Sequence, residues 1–326
     1  MKKYLALVLA LALLTASVSA VAAAPNTKAK AWTYLVYMGA DNNLDTWGDF
    51  SLDLMEIGLT SDQDVSVAVL YDHYGANADL LQVTSAGVVK LADYGEPDMG
   101  NPETLRQFLS WGVQAFPANH YAVVLWSHGG GWKYIIKDST SGTRMSIAGL
   151  ESAMSSVVAE LGRGDKFDIT LFDACLMSLV EVADQLTHAT DYVVASEQSV
   201  NYTGFPYDLM LQRLVANPSV SSGDYAQGIA DDYYVFNVQS NSKSVLSVSA
   251  IDESDITMIF VERNNVTVKV SWRASKPHID VSEIAVEFGG GGHKAAAGAE
   301  VDGNMSEVQE RVLAATRAAL AKQIGN

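Results

Sequence analysis

The chain has one cysteine, Cys175, among 326 residues, so no disulfide can form within it. It is also short of positive charge. Its 21 Lys and Arg residues stand against 38 Asp and Glu, a net −17 that argues against broad binding to nucleic acid or anionic membrane. That balance suits a cationic partner, and it also keeps an exported protein soluble. No tandem repeat is present, and no segment beyond the N-terminus is apolar and long enough to span a bilayer, so no stable membrane insertion is expected. At the N-terminus Lys2 and Lys3 precede an apolar run over 4–16 and a small-residue stretch over 17–24. Residues 1–24 therefore read as a cleavable secretory signal, and the protein is expected to be secreted. In an oxidising compartment a lone thiol must be buried, paired between chains, or kept for its reactivity.

From Trp32 onward, short runs rich in β-branched and aromatic residues alternate with helical patterns. The expected strands cover 33–38, 65–71, 121–126, 167–172, 192–195 and 245–251. Helical spacing appears at Leu105, Phe108, Leu109 and Gly112, over 150–161, and at Leu176, Leu179, Val180, Ala183 and Leu186. This order implies an α/β fold with a mostly parallel central sheet flanked by helices. Ligands of such sheets bind beyond the carboxyl ends of the strands.

Past about residue 255 the pattern changes. Val266, Val268, Val270 and Trp272 alternate with polar residues as in a half-buried strand. Asp280 and Glu283 form a capping-box-like start to a helix striped by Val281, Ile284, Ala285 and Phe288. Four glycines, 289–292, and a final amphipathic helix from about Ser306 follow. From 258 on, eight basic residues balance eight acidic ones, so the negative excess lies upstream. The expected organisation is a signal at 1–24, an α/β domain over 31–255 and a small α+β domain over 256–326.

Two strand ends carry candidate chemistry. "VLWSHGGGW" sets His128 and a glycine run just past the third strand, and "LFDACLM" sets Cys175 just past the fourth, at the start of an expected helix. If those strands are parallel neighbours about 4.8 Å apart, imidazole and thiol emerge on one rim. A helix N-terminus and an imidazolium would both favour the thiolate. The N–H groups of Gly129 and Cys175 would be donors for an oxyanion. The competing account is a buried structural cysteine and a histidine in an ordinary turn.

These segments, with "WTYLVYMGADNNLD" and "YVVASEQSVNYTGFPY", resemble the clostripain family of cysteine peptidases over about residues 31–252. The resemblance implies the caspase-like α/β fold, a His128/Cys175 dyad, and cleavage of proteins or peptides after Arg or Lys. It matches Asp173 to an acid in the pocket for the cationic side chain, which a helix-capping role would also explain. A second pocket acid is expected after "YVVASEQ", where Glu197 is the candidate. Relatives are often zymogens cut at a basic residue between the dyad members, and Lys137 and Arg144 fall there, in what reads as an exposed polar loop. Some relatives need calcium. Asp41 and Asp45 of "GADNNLD" offer oxygens, but too few for a full ligand loop, so calcium remains possible and no metal site is expected.

The tail "VSWRASKPHIDVSEIAVEFGGGGHKAAAG" is similar to the DHH-associated domain of DHH phosphoesterases. That likeness implies nucleotide binding through Arg273, Gly290, Gly291, Gly292 and His293, the glycine N–H groups cradling an anion. A tight turn with a satisfied histidine explains the glycines equally well. The metal-binding half of such phosphoesterases is missing, so a nucleotide or short oligonucleotide would be bound and not hydrolysed. The alternative function is thus a nucleotide-binding protein on an inactive peptidase-like scaffold.

Overall fold

The computed structural model describes residues 29–161, 166–239, 249–252, 256–262, 266–274, 276 and 278–324. The expected signal and residues 245–248 lie outside that set. Fourteen strands, eight α-helices and one short 3-10 helix (Gly131–Lys133) are seen among the described residues. The main sheet has eight strands. Its central members are β1 (Lys30–Gly39), β2 (Val65–Asp72), β5 (Ala118–Trp126), β8 (Phe167–Asp173) and β9 (Thr190–Ala195), which pair with one another in parallel. β10 (Ser249–Asp252) closes one edge antiparallel to β9. On the other edge β3 (Ala78–Thr84) and β4 (Gly87–Gly95) extend the sheet as an antiparallel ribbon that the sequence pattern did not announce. The spatial order is β10-β9-β8-β5-β1-β2-β3-β4.

The chain leaves β1 toward β2 on one side and later returns to fill β5, β8 and β9 on the other. The order of the sheet therefore reverses between β1 and β5, and the loops beyond those strands part to open a crevice. Because β1 is buried on both faces, its run reads as continuously apolar and not as an alternation. On one face it contributes Leu35 and Tyr37 to a core built with α2 (Pro102–Ala115), α3 (Ile147–Leu161) and α4 (Val180–Leu186). On the other, Tyr34, Val36 and Met38 pack with α1 (Asp45–Gly58), α5 (Tyr207–Ala216) and α6 (Ser222–Gln239). Asn101 caps α2 by accepting from the Glu103 N–H, with Pro102 at the first helical position.

A second sheet, order β11-β12-β14-β13, is antiparallel throughout: β11 (Ile256–Glu262), β12 (Thr267–Ala274), β14 (Ala296–Asp302) and β13 (Gly291–His293). With α7 (Val281–Glu287) and α8 (Met305–Ile324) it encloses its own apolar cluster around Val268, Val270 and Trp272. Asp280 caps α7 through the Ser282 N–H, as the sequence pattern implies.

Candidate functional site

The parallel ladder between β5 and β8 ends with Trp126 opposite Asp173. His128 and Cys175 each lie two residues beyond that registered pair, so the sheet delivers both to the same edge. Both line one cavity, with Leu44, Ser127, Val200 and Tyr202. The loop carrying the thiol is held by Leu176 N–H to Gln198 O and Ser178 N–H to Ser196 O, both 3.0 Å. Leu176, next to the cysteine, has φ 66°, a left-handed conformation that a branched side chain rarely adopts outside functional sites.

The thiol's setting differs from the sequence expectation. α4 begins at Val180, and Cys175 sits in a turn ahead of it, so no helix N-terminus faces the sulfur. Its Sγ is partly exposed and lies 3.9 Å from the Val200 carbonyl. The N–H groups of Gly129 and Cys175 donate to no other group among the described residues. A side chain at 129 would meet the Cys175 carbonyl oxygen at 2.4 Å and the Met177 sulfur at 2.7 Å. Glycine is therefore what lets the histidine loop lie directly on the cysteine loop.

His128 has a partner that the sequence did not suggest. Its Nε2 lies 2.9 Å from Oδ1 of Asn43, in the loop after β1. An amide oxygen only accepts, so Nε2 carries the hydrogen and Nδ1 is left to take a proton. Burial, then the charges of Lys137 and Arg144, lower the His128 pKa. The ring is thus held neutral, as a general base requires, and not as the thiolate-stabilising imidazolium that the sequence invites.

Asp173 is almost fully buried below the cavity. Its Oδ2 accepts from the Phe205 N–H (3.1 Å) and the Tyr207 hydroxyl (2.8 Å), while Gly204 packs so closely that a Cβ there would fall 2.5 Å from that oxygen. Burial raises the carboxyl to about 6 against those two donors. It caps no helix: one donor is the Phe205 N–H in the loop before α5, and the other is the side-chain hydroxyl of Tyr207, the first residue of α5. Glu197 lines a cavity between α4 and the second sheet.

A match to the Clostripain family model runs over residues 36–307. The chain belongs to the clostripain family. Curated clostripain of Hathewaya histolytica is 28% identical over 145 residues, 40% of this chain and 27% of that protein. An X-ray structure of a secreted C11 cysteine protease from Bacteroides thetaiotaomicron, in complex with an irreversible peptide inhibitor, superposes with TM-score 0.60 at 28% identity, covering 69% of this chain and 66% of that one. An inactive zymogen C11 protease from Parabacteroides distasonis shares the fold, with TM-score 0.55 at 24% identity, over 80% of this chain and 66% of that one. The chain thus spans less than two thirds of each. The family match continues through the second sheet, which the sequence resemblance assigned to a DHH-associated domain.

Other residues singled out in the sequence are dispersed. Lys137 and Arg144 face each other across the two-stranded ladder of β6 (Ile135–Asp138) and β7 (Thr143–Met145), and the exposed turn lies between them. The Arg144 guanidinium stacks on Tyr134 at 4.7 Å. Neither basic residue is therefore in a free loop. Arg273 and Gly291 line the cavity shared with Glu197, together with Glu181. Gly290 and Gly292 are accounted for by packing, since a Cβ would fall 2.1 Å from the Gly298 carbonyl and 2.4 Å from that of Ala296. His293 is exposed on β13. Asp45 lies against His73 at 3.6 Å, whereas Asp41 joins two carboxylates from other strand ends, Asp72 and Asp138, which no linear motif connects.

Proposed function

We propose that the protein is a secreted cysteine endopeptidase that cleaves protein and peptide chains after Arg or Lys. The reading rests on the single cavity lined by both His128 and Cys175, each two residues past a registered strand pair. Neutral His128 accepts the thiol proton as Sγ attacks the scissile carbonyl. The Gly129 and Cys175 N–H groups receive the developing oxyanion, and Asp173 receives the cationic side chain of the substrate. The C–N bond breaks as His128 returns the proton to the leaving amine, and water then releases the acyl group from sulfur. Export is supported by the signal-like segment 1–24. Hydrolysis of a short arginyl reporter by the mature protein tests the proposal. Activity lost in Cys175→Ala is expected, and activity equal to wild type in that variant overturns the dyad.

A nucleotide site in the second sheet has one supporting observation, the placing of Arg273 and Gly291 on one cavity. Two carboxylates, Glu181 and Glu197, line the same cavity and oppose an anion there. Nucleotide binding that saturates and is lost in Arg273→Ala would support this second role. Equal binding by Arg273→Ala would remove it.

A further inference from the structure

The cavity between α4 and the second sheet has a volume of about 380 Å³. That falls in the range of small-molecule sites, about 300–1,000 Å³. Charges of both signs line it: Glu181 from the first turn of α4, Glu197 from the loop after β9, and Arg273 from β12. Neither Glu181 nor Arg273 has an ion-pair partner among the described residues. Opposite charges thus face one cavity without neutralising each other. Leu179, Val180 and Ala297 add apolar wall.

A ligand of a single sign fits this lining poorly. An anion drawn to Arg273 is repelled by two carboxylates, and a simple cation drawn to the carboxylates is repelled by Arg273. A basic α-amino acid carries one carboxylate, one α-ammonium and one side-chain cation, which is the inverse of one guanidinium and two carboxylates. Guanidinium and carboxylate pair through two parallel hydrogen bonds, whichever of them the protein supplies. The methylenes of the ligand's side chain lie along apolar wall while its charged ends keep polar partners.

We propose that this cavity binds a free basic α-amino acid, arginine or lysine, with its carboxylate on Arg273 and its two cationic groups on Glu181 and Glu197. The site bears on the thiol through the backbone. Glu197 stands between Ser196 and Gln198, whose carbonyls accept from Ser178 N–H and Leu176 N–H, both at 3.0 Å. Ser178 lines the cavity as well, three residues past Cys175. A ligand held by Glu181 and Glu197 therefore ties together the two segments whose hydrogen bonds set the cysteine turn. Leu176 in that turn is held at φ 66°, a conformation that persists only where its surroundings brace it. The inference does not depend on the chemistry proposed for the dyad.

The test uses the full mature chain as Cys175→Ala, which prevents self-digestion, with L-arginine as the probe. Calorimetry is expected to show saturable binding near one equivalent. L-citrulline, whose side chain is neutral, and agmatine, which lacks the carboxylate, should each bind about tenfold or more weakly. Arg273→Ala and Glu181→Gln should each weaken arginine by a similar factor, and both residues are exposed, so neither change disturbs a core. Adding Asp173→Asn should leave the affinity unchanged, which separates this site from the pocket proposed for a substrate cation. In the Cys175→Ala chain itself, arginine should slow hydrogen exchange several-fold at the Leu176 and Ser178 amides. Absence of saturable binding, binding that survives in either Arg273→Ala or Glu181→Gln, or binding lost with Asp173→Asn overturns the proposal. Binding with unchanged exchange at those two amides overturns the link to the cysteine turn.

Discussion

His128 Nε2 lies 2.9 Å from Asn43 Oδ1, joining the loop after β5 to the loop after β1 across the point where the sheet order reverses. This bond sets the tautomer of the proposed general base, so Asn43 is a positioning residue, and its removal should affect turnover more than affinity. Asn43→Ala is expected to lower kcat about tenfold on an arginyl reporter with KM little changed. Asn43→Asp keeps an acceptor and adds a negative charge that stabilises the imidazolium. It should move the acidic limb of the kcat/KM profile to higher pH. A loss of Tm with an unmoved limb would mean that Asn43 only braces the loop.

Burial chiefly, with Lys137 and Arg144 adding to it, lowers the His128 pKa. Lys137→Gln and Arg144→Gln should each let it rise part of the way back toward the ordinary histidine value. The base then protonates at higher pH, so activity on the acidic side falls earlier. Raising the ionic strength of the unsubstituted enzyme should move the limb the same way, because salt screens exposed cations. An NMR titration of the His128 ring in the Cys175→Ala background measures this directly.

Asp173 titrates at about 6, so at pH 7 roughly ten carboxylates are ionised for each that is protonated. As pH falls through 6 the carboxyl gains a proton and its attraction for a cationic side chain disappears. Hydrolysis of an arginyl substrate should therefore drop through that range. Asp173→Asn should lower kcat/KM for the arginyl substrate by about 10²-fold or more and abolish its preference over a neutral isostere. Unchanged preference in this variant would reassign the pocket acid.

The Lys137 carbonyl accepts from the Asn42 side chain at 2.9 Å, and Lys137 pairs with Arg144 across the hairpin. A protease needs an extended, unpaired backbone, so cutting at either residue requires this ladder to open first. Asn42→Ala should accelerate cutting after Lys137, followed by intact mass in a time course. If neither basic residue marks a terminus in the aged wild-type enzyme, self-processing at this hairpin is excluded.

At Gly129 a methyl group would meet the Cys175 carbonyl oxygen at 2.4 Å. Gly129→Ala is expected to cost about 1–3 kcal/mol through overpacking and to separate the two loops, visible as a lower Tm and a much lower kcat. Activity near wild type would show that the loops can part without loss.

The sequence by itself determined the strand-helix alternation, because the apolar runs at 33–38, 65–71, 121–126 and 167–172 need only local pattern to declare themselves. It also determined that His128 and Cys175 follow strands, and the family resemblance reinforced their pairing. Only the tertiary structure decided what surrounds them. The Asn43 bond, the Phe205 and Tyr207 donors on Asp173, and the meeting of Asp41 with Asp72 and Asp138 join residues 31 to 97 positions apart. The helix expected at Cys175 failed because residues 176–178 hydrogen-bond to the 196–198 segment instead of to their own next turn. A motif fixes where Glu197 falls along the chain, whereas the path of the loop fixes which cavity it lines. Local propensity writes the elements. Register and crossover order choose which strand ends become neighbours, and that choice belongs to the packed sheet as a whole.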